Sequence, residues 1–224
     1  MRTEIFAANK LLGGSYIRAI NYHNTSFCDV KIFEAQMKFY QNHFSSVTKE
    51  DLDEFFITKI WKKEKPGLII SLFEGYRNNY DVAAALVEKY GFTGWFFIPT
   101  EYINTPVEEQ KKFAGEHSID MELDEYKDNR YALTWDEIRE LDKRHVIASH
   151  TKTHYRITQN TTEEKMKDEI VNSKKELEDK LQHEISHFCW LGGEEFNYNA
   201  VSTSYVIEAG YKYLFSNAKI EKIR

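Results

Sequence analysis

The sequence predicts an α/β fold in which helices cover a mainly parallel sheet. Short apolar runs of strand length alternate with segments whose apolar residues recur at helical spacing. The apolar run at residues 68–73 is typical of a strand buried on both faces, as parallel strands are. No repeat, low-complexity tract or Pro/Gly/Ser linker interrupts the 224 residues, so we expect a single domain over residues 1–224.

In the first half of the chain, three strands alternate with three helices. Phe33, Met37 and Tyr40 share one face of the first helix. The second helix is stopped by Gly91, and the third has Pro106 in its first turn. The predicted strands are residues 16–22, 68–73 and 95–98, and the predicted helices are residues 32–43, 79–90 and 106–117.

The second half continues the alternation. Thr134 and Glu137 form a capping-box pattern at a helix start, and Thr161 and Glu164 repeat the pattern. Apolar residues on one face mark the long helix after the second box: Met166, Ile170, Leu177 and Leu181. The predicted strands are residues 146–149, 185–190 and 211–215, and the other predicted helices are residues 134–144 and 200–209.

Composition and charge narrow the possible partners. The content of 42% hydrophobic and 29% charged residues is that of a globular protein. A net charge of −6 argues against a polyanionic partner such as nucleic acid. No apolar stretch is long enough for a membrane span or a signal peptide. We therefore expect a cytoplasmic protein as the chain is written, and an extracytoplasmic one if a leader was removed.

Three chemically suggestive segments stand where predicted strands end: residues 73–75, 149–150 and 190–193. In parallel sheets, ligand chemistry gathers at the carboxyl ends of the strands. We therefore expect these segments to contribute to one site.

His150 and His154 are the most informative pair. If they begin a helical turn, their β-carbons lie about 5–6 Å apart on one side, and both imidazoles can bind one cation. The alternative is two histidines satisfied by surface hydrogen bonds, which is the commoner case for an isolated pair at this spacing. The strand before the pair and the acidic residue that ends another strand favour a metal site.

The stretch from His145 to His154, HVIASHTKTH, resembles the second motif of the polysaccharide deacetylase family, which comprises metal-dependent carbohydrate esterases. Residues 20–23 (INYH), 94–98 (GWFFI) and 133–136 (LTWD) also look like landmarks of that family. The resemblance implies a distorted (β/α) barrel of the polysaccharide deacetylase type with mainly parallel strands. It also implies a divalent metal on both histidines, zinc first, with cobalt, nickel and manganese also compatible.

The first motif departs from the family pattern. The family has Thr-Phe-Asp-Asp-Gly, in which the first Asp is the general base and the second binds the metal. Residues 71–75 here read SLFEG. Glu74 therefore falls on the metal position and is the expected third ligand, whereas Phe73 falls on the base position. A phenyl ring cannot accept a proton, and the loss of a positioned base costs about 10²–10⁴-fold in rate.

The glycine-rich segment also differs from the family. The family expects an Arg and a loop that supplies an oxyanion donor, whereas residues 189–195 read CWLGGEE. The pair Gly192 and Gly193 still allows the backbone to approach a ligand. The family's final Leu-His motif has no counterpart before residue 224, so we expect the domain to lack its C-terminal strand and final motif, or this branch to lack that histidine.

Three repairs of the missing base are conceivable. Glu74 ranks first because a strand end fixes it, although ligand duty is its more expected role. Glu194, or its neighbour Glu195, could act from the glycine-rich loop, and His23 could act from the end of the first strand. The predicted substrate-binding residues are Tyr76, Arg77, Trp190, Gly192 and Gly193; core packing and a surface ion pair are the alternatives for side chains such as Tyr76 and Arg77.

Two functions follow from the resemblance. One is a metal-dependent hydrolase that removes N- or O-acetyl groups from a carbohydrate or a related small acylated substrate. The other is a catalytically impaired homologue that serves as a carbohydrate-binding module. The retained ligands favour the enzyme, and Phe73 with the missing Arg favours the binding module.

Overall fold

A computed structural model describes residues 14–122, 124–193, 199–217 and 219–224. Its strands are β1 (Ile17–Tyr22), β2 (Ser45–Ser46), β3 (Gly67–Leu72), β4 (Gly94–Ile98), β5 (Val146–Ser149), β6 (His187–Cys189), β7 (Tyr213–Phe215) and β8 (Ile220–Lys222). Its α-helices are α1 (Val30–His43), α2 (Lys49–Thr58), α3 (Ala85–Lys89), α4 (Thr100–Asn104), α5 (Gln110–Glu116), α6 (Trp135–Asp142), α7 (Glu163–Lys167), α8 (Ser173–Leu181) and α9 (Ala200–Glu208). Two π-helical turns, Asn79–Ala84 and Asp168–Asn172, lead into α3 and α8.

The strands form one curled sheet in the order β1-β3-β4-β5-β6-β7-β8, with β2 also paired to β3. Strands β1 to β7 run parallel, and β8 runs antiparallel to β7. Helices lie between successive strands, so the architecture is a distorted (β/α) barrel. The predicted fold class is confirmed, with a short antiparallel strand that the sequence analysis did not predict.

Alternate residues of each strand face opposite sides of the sheet. The barrel interior is aromatic and includes Ile69, Trp95, Phe97, Tyr213 and Phe215. The outer face packs against the helices and includes Ile70, Phe96, Ile147, Phe188 and Leu214. Because the parallel strands share one direction, their carboxyl ends lie on one rim, and residues that follow β3, β5 and β6 meet there.

The predicted strands match the observed ones to within about two residues at each end, a normal boundary uncertainty. Helices α2 and α4 were not predicted. The start of α2 is a capping box between Thr48 and Asp51, which uses Asp where the usual pattern has Glu or Gln. With five residues, α4 is too short to show a helical period. Among the described residues, no helix is long and apolar enough to span a bilayer.

One predicted capping box is confirmed and the other is wrong. The backbone N–H of Glu137 donates to the Thr134 hydroxyl at 3.2 Å, and Glu137 accepts from the N–H of Thr134 at 2.8 Å. At the second site the cap of α7 is Thr162, not Thr161. The Thr161 hydroxyl instead accepts from the N–H of Thr158 at 2.9 Å, so it closes the preceding turn.

Candidate metal centre and active site

Glu74 lies in a sharp turn at the carboxyl end of β3. Glu74 and Gly75 are both left-handed, with φ of 63° and 68°. Glycine adopts this region freely, whereas a residue with a β-carbon pays about 1–2 kcal/mol. A β-carbon at Gly75 would also lie 2.9 Å from the Ile103 side chain. The strained turn holds the Glu74 carboxylate at the rim, where the residue is only 3% exposed.

The loop that carries the two histidines is not the predicted helical turn. His150 follows β5 directly, and residues 150–154 form bends rather than a helix. Thr151 and His154 have left-handed φ values of 67° and 57°. The Thr151 hydroxyl accepts from the backbone N–H of Tyr155 at 3.0 Å. The tight loop nevertheless brings the His150 and His154 rings to 5.2 Å between centroids.

A buried carboxylate explains why this loop is not helical. Glu169 accepts from the backbone N–H groups of Lys152 at 2.9 Å and Thr153 at 2.8 Å, and from the Thr153 hydroxyl at 2.5 Å. Lys165 pairs with the same carboxylate at 2.6 Å. Glu169 is fully buried, and these charge-assisted hydrogen bonds offset its desolvation. The sequence analysis missed this positioning residue, although Glu169 is adjacent to Ile170, which was predicted to lie on the buried face of the long helix.

The predicted convergence of Glu74, His150 and His154 is present. One nitrogen of each imidazole and one oxygen of the carboxylate all lie within 4.8 Å of one another. The Nε2 atom of His154 is 3.4 Å from Oε1 of Glu74. All three residues are at most 4% exposed. This is the spacing of groups that can share one ion.

Backbone carbonyls fix the orientation of both rings. Nδ1 of His150 donates to the carbonyl of Cys189 at 3.0 Å, and Nδ1 of His154 donates to the carbonyl of His117 at 2.7 Å. Because a carbonyl only accepts, both Nδ1 atoms carry the proton and both Nε2 atoms keep a lone pair. Nε2 of His154 is buried without a hydrogen-bond partner among the described residues. Two such nitrogens and a carboxylate fit a divalent ion such as zinc.

Burial and neighbouring charges set the protonation of the ligands. Burial on its own raises the pKa of Glu74, but the adjacent imidazoles of His154 and His23 outweigh it and bring the pKa to about 2. Burial, followed by the neighbouring imidazole of His154, lowers the pKa of His150 to about 3. At neutral pH the site therefore presents a carboxylate and a neutral imidazole, the forms that bind metals.

Comparison with known proteins identifies the family. A sequence profile of polysaccharide deacetylases matches residues 61–214, more than half of the chain. The chain belongs to the polysaccharide deacetylase family. No significant match was found among curated protein sequences.

Solved structures of deacetylases share the fold. The chain is similar to Streptococcus pyogenes deacetylase PplD in complex with acetate, with 14% identity over 89% of this chain and 82% of that one and a TM-score of 0.66. It is similar to a de-N-acetylase from Aggregatibacter actinomycetemcomitans, with 17% identity over 93% and 88% of the two chains and a TM-score of 0.66. It also resembles IcaB from Ammonifex degensii, with 15% identity over 91% and 84% and a TM-score of 0.65.

Phe73, which the sequence analysis assigned to the base position, directly precedes Glu74. Its ring stacks on Phe97 with centroids 4.7 Å apart and meets the edge of His150 at 4.9 Å. The residue is 6% exposed. The base position is thus part of the aromatic barrel interior and offers no proton acceptor.

His23 lies directly above this ring. Its imidazole stacks on Phe73 with centroids 5.5 Å apart, and its Nδ1 lies 2.7 Å from both oxygens of Glu74. The hydrogen bond to Glu74 raises the pKa of His23. Its side chain is 63% exposed, so a titratable group stands at the mouth of the site.

A cleft of about 230 Å³ runs beside Glu74 and His150 and into the barrel. Its lining includes the predicted residues His23, Glu74, His150, Trp190 and Gly192. It also includes side chains that the sequence analysis did not single out: Ala19, Asn21, Phe215, Ser216, Asn217 and Ile220. Both apolar and polar groups line the cleft, as suits a ligand with both kinds of surface.

Three predicted substrate-binding residues, Tyr76, Arg77 and Gly193, stand away from this lining. Tyr76 is 3% exposed and pairs with Ala132 in an isolated β-bridge. Arg77 is ion-paired with Asp81 at 3.1 Å and with Asp128 at 2.9 Å. These contacts match the alternatives of core packing and a surface ion pair, while substrate binding by any of the three residues stays a prediction.

Gly192 and Gly193 are the last residues of the glycine-rich segment that the structure describes. Gly193 has a φ of 57°, and a β-carbon there would lie 2.8 Å from the backbone nitrogen of Asn217. A β-carbon at Gly192 would collide with the guanidinium group of Arg156, so an arginine does lie against this loop although the loop itself has none. Glu194 and Glu195 lie outside the described residues.

Proposed function

We propose that this deacetylase-family chain is a metal-dependent hydrolase that removes N- or O-acetyl groups from a carbohydrate. The observation that carries the proposal is the buried convergence of Glu74, His150 and His154, with both rings oriented by backbone carbonyls. A divalent ion, zinc first, supplies Lewis-acid polarisation of the acyl carbonyl and activation of water when bound there. Family membership and the shared fold support the same chemistry.

In this proposal, Glu74 is a ligand and His23 moves the proton. Glu74 is buried between His154 and His23, which suits ligand duty better than base duty. His23 holds Glu74 through Nδ1, so its Nε2 is left to exchange a proton with water or a leaving amine in the cleft. Glu194 remains the other candidate for this role.

The substrate part of the proposal rests on the cleft. The Phe73 ring and its aromatic neighbours give an apolar wall next to the metal position, against which an acyl methyl group packs. Asn21, Ser216 and Asn217 provide polar groups for sugar hydroxyls along the same cleft. Trp190 and the backbone at Gly192 complete the rim.

The first test measures metal and acetate together. Purified wild type, Glu74→Ala and His150→Ala are compared by metal analysis and by acetate release from acetylated oligosaccharides, with His183→Ala as the matched surface control. We expect about one divalent ion per wild-type chain and loss of both ion and acetate release in the two ligand variants. A wild type without metal, whose melting temperature is unchanged by chelator, contradicts the proposal.

A second test addresses His23. We expect His23→Gln to lower acetate release by about 10²-fold or more while the bound metal stays in place, because a general acid–base group contributes about that much. Equal activity of His23→Gln and wild type removes His23 from the proposal and leaves the metal site untouched.

A binding module is the second candidate function, and Phe73 is the observation that favours it. An aromatic ring at the base position removes the usual proton acceptor while it adds a surface on which a sugar can pack. If wild type releases no more acetate than Glu74→Ala on every oligosaccharide tested but still binds one of them, this second function replaces the first.

A further inference from the structure

A second cavity lies at the opposite end of the barrel. Its volume is about 660 Å³, and it opens at the amino ends of β4 to β7. Val146 at its edge and His150 at the metal centre are separated by the length of β5, about 13 Å at roughly 3.3 Å per residue. The walls are the first turn of α2, the segment after α6 and the segment before β6. This cavity is therefore separate from the proposed active site.

His187 faces this cavity with neither ring nitrogen satisfied. The residue is 2% exposed and lines the cavity, and both Nδ1 and Nε2 lack a hydrogen-bond partner among the described residues. Its ring stacks on Tyr213 with centroids 5.1 Å apart and meets Trp95 edge-on at 4.9 Å, contacts that fix the ring but satisfy no nitrogen. A buried polar group without a hydrogen-bond partner is destabilising. The arrangement is thus incomplete without a polar ligand.

The charges around His187 indicate that this ligand is an anion. Burial, together with the positive charges of Lys49, Lys212 and Lys174, lowers the pKa of His187 to about 3, so the ring is neutral in a positive field. Each acidic side chain of the lining already has a partner: Asp53 with Tyr213, Asp142 with His183, Glu184 with Lys212, and Glu50 with its own backbone N–H.

Lys49 is the basic residue of this lining whose charge has no partner among the described residues. Within the described part of the chain, no hydrogen bond or ion pair engages its ammonium group. It lines the same cavity as His187 and is half-buried in the first turn of α2. An imidazole N–H and an ammonium group are donors that a small anion with oxygen atoms can accept from simultaneously.

We propose that this cavity binds a small oxyanion, a carboxylate or a phosphate, between His187 and Lys49. The ring N–H of His187 and the ammonium group of Lys49 donate to its oxygens. The site is independent of the metal centre, so an anion there occupies the protein whether or not a metal is bound at the other rim.

The test is calorimetric titration of the full chain with inorganic phosphate, acetate and citrate, each at an ionic strength matched with sodium chloride. His187→Phe keeps the ring stack on Tyr213 but removes both nitrogens, and Lys49→Met removes the charge. Lys167→Met, on the exposed side of α7, is the matched control. We expect saturable binding of at least one anion, weakened by about tenfold or more in either variant and unchanged in the control.

Nitrogen chemical shifts of His187 in a histidine-labelled sample give a readout that does not depend on the variants. The proposal predicts a saturable shift on addition of the bound anion, and none with chloride. Binding of phosphate alone, or of carboxylates alone, identifies the source of the oxyanion and supports the site. No saturable binding above chloride, or full affinity in folded Lys49→Met, overturns it.

Discussion

The two sides of the cleft differ in how firmly their polar groups are held. On the metal side, Glu74, His150 and His154 are buried, and each imidazole is anchored to a main-chain carbonyl. On the side where a base is expected, Phe73 packs into the aromatic interior and His23 stands exposed above it. The predicted metal ligands thus lie together, while the predicted base position carries a phenyl ring.

This difference teaches that ion binding and proton transfer rest on separate sets of contacts. The ligands depend on turns and loops that are fixed by backbone hydrogen bonds, such as those accepted by Glu169. The predicted base position, residue 73, carries a phenyl ring that packs on Phe97, and the ligand geometry is present beside it. The two sides can therefore be altered one at a time.

The largest effect is expected from removing Glu169, the residue that anchors the loop with the two histidines. Glu169→Ala leaves the N–H groups of Lys152 and Thr153 without their acceptor and Lys165 without its partner. We expect a loss of about 3–5 kcal/mol in the free energy of unfolding, as for other broken buried ion pairs, and weaker metal binding. Urea unfolding and metal titration measure the two quantities.

Glu164→Ala is the control for that change, because Glu164 is exposed on α7, which directly precedes the π-helical turn that contains Glu169. It is expected to alter neither quantity. Metal affinity that survives in a folded Glu169→Ala protein would show that the loop needs no such anchor.

The next largest effect is expected from restoring a carboxylate at position 73, the predicted base position. Phe73→Asp places a carboxylate beside His150, whose ring centroid lies 4.9 Å from that of Phe73. We expect acetate release to rise by about 10²-fold, the usual contribution of a positioned base. Phe73→Asn is the matched variant, since it has the same shape without a proton acceptor. Equal rates for Asp and Asn at position 73 would show that this position no longer serves the reaction.

The smallest effect is expected from removing a helix cap that lies outside the proposed active site. Thr134→Ala removes the cap of α6, in which the Thr134 hydroxyl accepts from the N–H of Glu137 at 3.2 Å. We expect a loss of about 1 kcal/mol in the free energy of unfolding, with metal affinity and acetate release unchanged. Thermal unfolding and metal titration test this, and a change in metal affinity would mean that the scaffold and the metal side are coupled.

The sequence predicted those parts of the site that depend on strand ends. Glu74 and His150 each follow an apolar run, so their place on one rim follows from parallel strands alone. The role of Glu169 was not predictable, because its contacts with Lys152 and Thr153 cross 16 to 17 positions of chain and depend on how α7 packs. The same holds for His117, whose carbonyl reaches His154 across 37 positions.

Local preferences account for the remaining errors. A spacing of four residues between His150 and His154 suits a helix, but the loop obtains its hydrogen bonds from Glu169 and so adopts left-handed turns. Thr161 and Thr162 are adjacent caps of similar strength, and the turn at Thr158 decides between them. Both cases show tertiary contacts overriding a valid local pattern.

The carbonyls that orient the two imidazoles have a consequence for how this centre tolerates change. His117 and Cys189 contribute only main-chain oxygen atoms to the ligands, and every amino acid carries that atom. Substitutions at these two positions can thus alter size and polarity around the ion while leaving the aim of both rings intact. Substitutions at these two positions therefore give related proteins a way to change the environment of the ion while its ligands keep their geometry.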